Sequence, residues 1–260
     1  DRANPYLFGL DSLLEDVVRN PPSLLVIGGL QMMDTFNYQP GERQALLARL
    51  SARLKGLPGK LPVHFELASF TDDLFMEDLL VYVLHHCSSL GMNEQELASL
   101  HRFLTTRGIF SYGKMKVSSD AFVGVNATLD RVRLVWQKLR GRGLRLSRIH
   151  VHSLAFQVVA YEPSKWRNSD VAMAKAALVA ARHVCQEARR VPAPPLKIRL
   201  FSIQLEEQYV NPDEPVRCWT EDLDGEKVGF CLAPVPVCKD AKQTIGAGDN
   251  ISGGALAAQV

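Results

Sequence analysis

Residues 24–29 have the sequence LLVIGG, a short apolar run that ends in two glycines. A continuous apolar run bounded by turn residues is typical of a strand that is buried on both faces. Helical periodicity precedes this run from Leu7 to Arg19 and follows it from Pro40 to about Lys55. The stretch PVHFELAS (62–69) predicts the next strand. We therefore expect strands and helices to alternate along the chain.

The alternation continues toward the carboxyl end. Residues 129–139 are amphipathic, residues 148–154 alternate in polarity, an alanine-rich helix is predicted to end near residue 184, and residues 228–237 favour a strand. Near-continuous apolar strands between helices predict an α/β sandwich with a largely parallel sheet. The later strands leave room for an antiparallel edge.

Composition and charge narrow the functional class. Hydrophobic residues make up 47% and charged residues 22% of the chain, which is ordinary for a water-soluble protein. The net charge of +2 is too small to attract nucleic acid. The most apolar helical stretch, residues 171–184, is shorter than the roughly 20 residues that span a bilayer. We expect no nucleic-acid partner and no transmembrane segment in this chain.

The cysteines and paired histidines give little sign of a metal site. The five cysteines are odd in number and include no Cys-x-x-Cys, which argues against a disulfide framework or a zinc knuckle. We expect mainly core thiols, with one bridge between Cys231 and Cys238 left open. Two further groups contain histidine: His85, His86 and Cys87 form one, and His150 and His152 form the other. Neither is accompanied by a second set of zinc ligands, so we assign them no metal.

The segment IGAGD (245–249) lies at a predicted strand-to-helix turn. Glycines allow the backbone to approach a ligand closely, and the N–H groups at a helix start favour a phosphate. An aspartate there can accept a proton from a hydroxyl group. The alternative is that Gly246 and Gly248 only form a tight turn and that Asp249 only caps the helix. The segment matches neither a Walker loop nor a dinucleotide-binding fingerprint.

Two carboxylates are candidates for a magnesium site. His64 and Glu66 are two residues apart on a predicted strand and therefore share one face. A carboxylate near the carboxyl end of such a strand suits Mg²⁺. The alternative, which the residues by themselves favour, is an exposed edge pair. Asn93 and Glu96 have the spacing of a capping box. The functional alternative is that they add a second carboxylate to the same magnesium site.

Taken in this order, HFE (64–66), NEQE (93–96) and IGAGD (245–249) resemble the motifs of ADP-dependent sugar kinases, the glucokinase and phosphofructokinase group of the ribokinase-like superfamily. LLVIGGLQMMD (24–34) and SRIHVHSLAFQVVA (147–160) are similar to segments of animal members of that family. The resemblance implies a three-layer α/β/α sandwich with a mostly parallel central sheet. Residues 1–260 would form the carboxyl-side portion of a single nucleotide-binding domain, without its amino-terminal part and most of its lid.

The resemblance also implies an activity. The β-phosphate of ADP would pass to the 6-hydroxyl of glucose, giving glucose 6-phosphate and AMP, with Mg²⁺ as cofactor. Animal members of the family imply the endoplasmic reticulum or secretory pathway, and we expect a monomer that acts in glycolysis. Two alternatives stay open, an ATP-dependent ribokinase-type sugar kinase, which ordinarily lacks the HFE and NEQE combination, and a non-catalytic nucleotide-binding fragment.

Family usage assigns roles to the motif residues. Asp249 would be the catalytic base and a ligand in the magnesium site. The anion hole would consist of Gly246, Ala247 and Gly248. Glu66 and Glu96 would organise Mg²⁺, with support from His64 and Asn93.

The segment VPVCK (235–239) precedes the glycine turn and resembles the family segment beside the nucleotide. Val237 is expected to border the adenine pocket, and Lys239 or Lys242 to add positive charge. The alternative is a surface strand that ends in a loop with solvated lysines.

Overall fold

The structure is a computed structural model, and it describes residues 4–106, 124–186, 190–191, 197–199, 207–209, 216–238 and 240–260. The chain divides into two compact units. Unit 1 comprises residues 1–92 and 139–147, and unit 2 comprises residues 93–138 and 148–260. That the whole chain forms part of a single domain stays a prediction.

The helices and strands follow each other in the predicted alternation through the first half of the chain. The described helices are α1 (Leu10–Arg19), α2 (Glu42–Lys55), α3 (Asp73–Tyr82), α4 (Glu94–Thr106), α5 (Val125–Gly141), α6 (Ser169–Cys185) and α7 (Ala247–Gln259). The described strands are β1 (Leu25–Ile27), β2 (Val63–Glu66), β3 (Ser89–Asn93), β4 (Arg148–His152), β5 (Phe156–Tyr161), β6 (Arg190–Val191), β7 (Lys197–Arg199), β8 (Glu207–Tyr209), β9 (Arg217–Leu223), β10 (Glu226–Pro234) and β11 (Val237–Cys238). Among the described residues, no helix is long and apolar enough to cross a membrane.

Unit 1 contains the parallel strands. β2 pairs in parallel with β1 on one side and with β3 on the other, so that His64 lies opposite both Val26 and Ser89. The apolar run at residues 24–29 forms a strand as predicted, because β1 occupies Leu25–Ile27. The prediction that this strand is buried is wrong, since none of its three residues is fully buried and Val26 is 53% exposed. Strand β3 is one that the sequence analysis did not predict.

Helices α2 and α3 pack against each other in unit 1 and contribute buried side chains such as Leu47 and Met76. Arg43 of α2 joins them, since its guanidinium donates to Asp72 and to Asp78, at 3.1 Å in each case. Burial raises the pKa of Asp78, and the charge of Arg43 offsets part of that increase. The ion pair thus fixes the start of α3 against α2.

Unit 2 contains antiparallel strands. β5 pairs with β4 and with β10, and β10 pairs with β9. The antiparallel part is therefore larger than the edge that the later strands led us to expect. The reason is local: β5 follows β4 after a three-residue connection, 153–155, which is long enough for a hairpin and too short for a helical crossover.

Helices lie on both sides of the strands of unit 2. Phe230 and Cys231 are neighbours in β10, so their side chains point to opposite faces. On one face, Cys231 packs with Met173 of α6. On the other, the guanidinium of Arg133 in α5 lies 5.7 Å from the centre of the Phe230 ring. This arrangement confirms the predicted α/β/α layers.

Helices α6 and α7 pack closely because their contact residues are small. A Cβ atom on Gly254 of α7 would lie 3.1 Å from the Cα atom of Ala176 in α6, so glycine permits the close approach. The apolar residues buried around this contact are Ala176 and Ala180 of α6, Ile251 and Ala255 of α7, and Val235, which follows β10. The packing holds the start of α7 in place. The glycine turn, residues 246–248, lies at this start.

Two disulfides correct the sequence prediction for the cysteines. Cys231 bonds to Cys218, its direct neighbour across β9 and β10, and Cys238 bonds to Cys185 at the end of α6. The bridge between Cys231 and Cys238 that the sequence left open is therefore wrong. Cys87 is the free cysteine in the described part of the chain, and it is buried.

Candidate functional site

The glycine turn leads directly into α7. Gly246 is the N-cap residue and has a left-handed backbone, with φ 78° and ψ 7°. Only glycine adopts that conformation without strain. Asp249 is the third residue of the helix and is exposed. The alternative that Asp249 caps the helix is therefore wrong, and its carboxylate lies in solvent beside the turn.

The first backbone amides of α7 are suited to an anion. The first bond to the carbonyl four residues earlier runs from the N–H of Asn250 to the oxygen of Gly246, at 3.0 Å. The N–H of Ala247 donates to Thr244. The N–H groups of Gly248 and Asp249 precede the regular bonding pattern, and the helix dipole adds positive potential at this end. They can therefore bind a phosphate.

The segment before the turn is anchored to the end of α6. His183 Nε2 donates to the carbonyl of Ile245 at 2.8 Å, and the N–H of Lys242 donates to the carbonyl of Val184 at 2.9 Å. The disulfide at Cys185 completes three ties from consecutive residues. His183 could not be predicted from the sequence, because nothing in the local pattern of a helical histidine indicates a partner so distant in the chain.

The predicted nucleotide-binding residues lie in this segment. Val237 is in β11, which pairs with β6. The side chain of Lys242 is exposed. Lys239 lies outside the described residues. The assignment of Val237 and Lys242 to an adenine pocket stays a prediction.

His64 and Glu66 form a buried relay at the end of β2. His64 has no exposed surface, whereas 20% of the Glu66 side chain is exposed. The alternative of an exposed edge pair is wrong, because β2 lies between β1 and β3. His64 Nε2 donates to Glu66 Oε2 at 2.8 Å, and Nδ1 lies 2.7 Å from Ser89 Oγ. Ser89 and His64 thus orient the carboxylate, as partners behind metal-binding groups do.

Gly91 makes room for this relay. It lies directly opposite Glu66 in the register of β2 and β3. A Cβ atom at Gly91 would lie 2.2 Å from Glu66 Oε2 and 2.9 Å from His64 Nε2. Gly91 was not among the predicted site residues, although a lone glycine within a strand is a known sign of close approach.

Asn93 and Glu96 form the capping box that their spacing predicts. The backbone N–H of Asn93 donates to Glu96 Oε2 at 2.8 Å, and the N–H of Glu96 donates to Asn93 Oδ1 at 2.9 Å. The two side chains satisfy amides at the start of α4 reciprocally. Glu96 is 7% exposed. A capping box does not prevent a carboxylate from meeting a hydrated ion, so the magnesium role of Glu96 stays a prediction.

The carboxylates suit Mg²⁺ by their chemistry. Within the described ranges, no group of three or more His, Cys, Asp or Glu side chains is placed to hold a metal ion. Mg²⁺ needs fewer protein ligands, because it keeps several waters and binds through one or two carboxylates and the substrate phosphates. Glu66 belongs to unit 1, and Glu96 and Asp249 belong to unit 2. Each offers the hard oxygen donors that Mg²⁺ prefers.

A glycine turn at the start of a helix, on an α/β fold with an exposed aspartate beside the amides, has the geometry expected of a phosphate-binding site. The chain belongs to the ADP-specific phosphofructokinase/glucokinase family, since the sequence model of the conserved region of that family matches residues 1–258.

Relatives of the chain agree with this family. The chain is 32% identical to the ADP-dependent glucokinase of Bos taurus, over 97% of this chain and 50% of that protein. It is 28% identical to the probable ADP-dependent glucokinase of Caenorhabditis elegans, over 94% of this chain and 50% of that protein. The chain therefore spans about half the length of the curated relatives it matches.

A solved structure supports the fold. An ADP-dependent kinase in complex with fructose-6-phosphate and ADPβS superposes with a TM-score of 0.62. The superposition covers 96% of this chain and 56% of that chain, at 19% sequence identity. At this identity the match establishes the shared fold.

Proposed function

We propose that the protein is an ADP-dependent glucokinase that transfers the β-phosphate of ADP to the 6-hydroxyl of glucose. The observation that carries the proposal is the exposed Asp249 at the third position of α7, directly after the glycine turn. Membership of a family of ADP-specific kinases supports the donor and the reaction class. The two glucokinases similar to this chain support glucose as the acceptor.

Each part of the turn has a role in the proposed reaction. Asp249 accepts the proton of the 6-hydroxyl as the sugar oxygen attacks the β-phosphorus. The bond from the β-phosphorus to the oxygen that bridges the α- and β-phosphates breaks, and AMP leaves. The amides of Gly248 and Asp249, with Gly246 and Ala247 shaping the turn, stabilise the negative charge on the transferred phosphoryl group.

Magnesium belongs to the proposal as cofactor, with Glu66, Glu96 and Asp249 as the carboxylates that would hold it or its waters. When bound, the ion would neutralise charge on the ADP phosphates. His64 would orient Glu66 through the hydrogen bond of 2.8 Å, and Asn93 would orient Glu96 through the capping box. The support for these roles is the match of the motifs and the donor chemistry.

Replacing Glu66 or Glu96 with Gln is expected to raise the magnesium concentration that gives half-maximal activity, by about tenfold for each variant. The double variant should lose less than the sum of the two free-energy changes, because both carboxylates would act on one ion. Magnesium titrations of glucose phosphorylation by the full-length enzyme measure this. Strict additivity with an unchanged magnesium requirement would leave Glu96 as a capping residue only.

The choice of donor depends on where the nucleotide is held. An enzyme that uses ADP must place the β-phosphate over the amides of the turn, with the adenosine nearer to the turn than in an enzyme that uses ATP. The segment with Val237 and Lys242 is tied to α6 by a disulfide and a backbone hydrogen bond. Such anchoring would keep the nucleotide from moving outward, with Val237 bordering the adenine and Lys242 adding positive charge.

The activity test compares ADP with ATP as donors for glucose phosphorylation. The full-length enzyme is assayed with each nucleotide freed of the other and of adenylate kinase. We expect turnover with ADP and at least about a hundredfold lower kcat/KM with ATP, a loss typical of a misplaced reacting group. Preference for ATP would overturn the donor assignment and favour the ATP-dependent alternative.

We further propose that the protein acts as a monomer in glycolysis, in the endoplasmic reticulum or secretory pathway. The two disulfides of the described residues support this location, because such compartments allow disulfides to persist. Subcellular fractionation tests the location, and analytical ultracentrifugation tests the oligomeric state. A cytosolic protein would contradict the first, and a dimer the second.

A further inference from the structure

His152 lies at the carboxyl end of β4, and its ring faces the glycine turn. A Cβ atom built on Gly248 would lie 2.8 Å from His152 Cε1 and 3.2 Å from Nε2. The first distance is shorter than real Cβ atoms show, and the second is tighter than most of their contacts. The ring therefore fills the space that any larger residue at position 248 would need.

The two glycines of the turn are required for different reasons. Gly246 has a positive φ of 78°, and the nearest atom to a Cβ there would be 3.8 Å away. Glycine is needed at position 246 because the backbone there is left-handed. Gly248 does not have a positive φ, but a Cβ atom at this position would collide with His152. Glycine is needed at position 248 because a side chain there would keep the start of α7 away from the imidazole of His152.

The same imidazole also acts on the start of α4. Burial raises the pKa of Glu94, the first residue of that helix, and the charges of His152 and Arg131 lower it in part. His152 is thus near enough to Glu94 for an electrostatic interaction. Glu94 adjoins Asn93, the first residue of the capping box. Within unit 2, His152 therefore adjoins the start of α7 and interacts electrostatically with the start of α4.

We propose that His152 is a positioning residue that sets where the amides of Gly248 and Asp249 lie at the start of α7. The imidazole packs against the turn at Gly248, so that the amides and the Asp249 carboxylate face the transferred phosphoryl group together. The role depends on contact with Gly248, and it requires no bond between His152 and the substrate. This role rests on the proposed kinase function, to which it adds a residue that positions the phosphate-binding amides.

The contact is tested by a double-mutant cycle in the full-length enzyme with Gly248→Ala, His152→Ala and the double variant. Gly248→Ala should lower kcat about a hundredfold, because the methyl group displaces the turn from the ring. His152→Ala should lower kcat about tenfold and leave KM for glucose unchanged. With the ring removed, the methyl group has room, so Gly248→Ala should cost about tenfold less in the His152→Ala background.

Gly253→Ala is the matched control. It lies in the same helix, and a Cβ there would meet no atom within 4 Å, so that variant should keep wild-type kcat and AMP affinity. The dissociation constant of AMP is measured across the cycle as well, since a loss of global stability alone would not produce coupled changes in it. If His152→Ala does not fold, His152→Asn replaces it in the cycle.

Additive changes in kcat and in AMP affinity would overturn the role of His152. A wild-type enzyme that binds AMP but does not phosphorylate glucose with ADP would instead contradict the proposed function. In that case the cycle is read from AMP affinity and from thermal unfolding temperatures, where the same coupling between positions 152 and 248 is expected. Additivity there would overturn the contact itself.

Discussion

Asp249→Asn in the full-length enzyme is expected to lower turnover about a thousandfold or more, on the order of 4 kcal/mol in transition-state stabilisation. The amide side chain has nearly the shape of the carboxylate but cannot accept the hydroxyl proton. ADP affinity should change little, because the backbone amides at the start of α7 remain in place. Initial rates at saturating glucose and ADP, with ADP binding measured separately, give both quantities.

Asp240→Asn is the matched control for this prediction. Asp240 is an exposed aspartate in the segment that precedes the turn, outside α7. The control removes the same charge from the same region, so its turnover should stay close to that of the wild type. Near-normal turnover of Asp249→Asn would remove Asp249 from the role of base, whereas an equal loss in both variants would indicate a general effect of negative charge.

The strands of unit 1 show what the sequence can predict about the fold. Strand β1 lies in a short apolar run that two glycines follow, and β2, with the sequence VHFE, directly follows Pro62. The sequence predicts both strands. Strand β3 was missed because its sequence, SLGMN, is short and contains a glycine, which lowers strand propensity. The glycine is explained by the side chains of the neighbouring strand, and a single-sequence pattern does not contain them.

The candidate site divides in the same way. Local spacing predicts the glycine turn and the capping box, because both depend on residues within five positions of each other. The contact of His152 with Gly248 joins residues that are far apart in the chain. The disulfides also depend on tertiary structure, since neither Cys185 nor Cys218 has a local signal that selects its partner. Sequence patterns thus predict the candidate site residues better than the distant residues that hold them in position.

The largest expected effect on stability concerns the ion pair of Arg133 and Glu221 in unit 2. The guanidinium donates two hydrogen bonds of 2.7 Å to the carboxylate, and the two side chains are only 9% and 8% exposed. Trp219 Nε1 donates a third bond of 2.7 Å to the same carboxylate. Burial disfavours the charge of Arg133, yet its hydrogen bonds and ion pairs with Glu221 and Asp130 raise the pKa overall.

Removing one partner should leave the other charge buried without its main compensation. We expect Glu221→Leu and Arg133→Met each to lower the free energy of unfolding by about 3–5 kcal/mol. The double variant should be more stable than either single variant, because no buried charge is then left uncompensated. Urea unfolding of the full-length enzyme measures all three.

Asp130→Asn separates this effect from ordinary surface electrostatics. Asp130 also accepts a hydrogen bond from Arg133, at 2.8 Å, but its side chain is 60% exposed, so solvent screens the pair. We expect its loss to change the free energy of unfolding by less than about 1 kcal/mol. Neither Arg133 nor Glu221 belongs to the glycine turn, so the folded fraction of each variant should keep its turnover per molecule. A double variant less stable than both single variants would show that the ion pair itself contributes more than its desolvation costs.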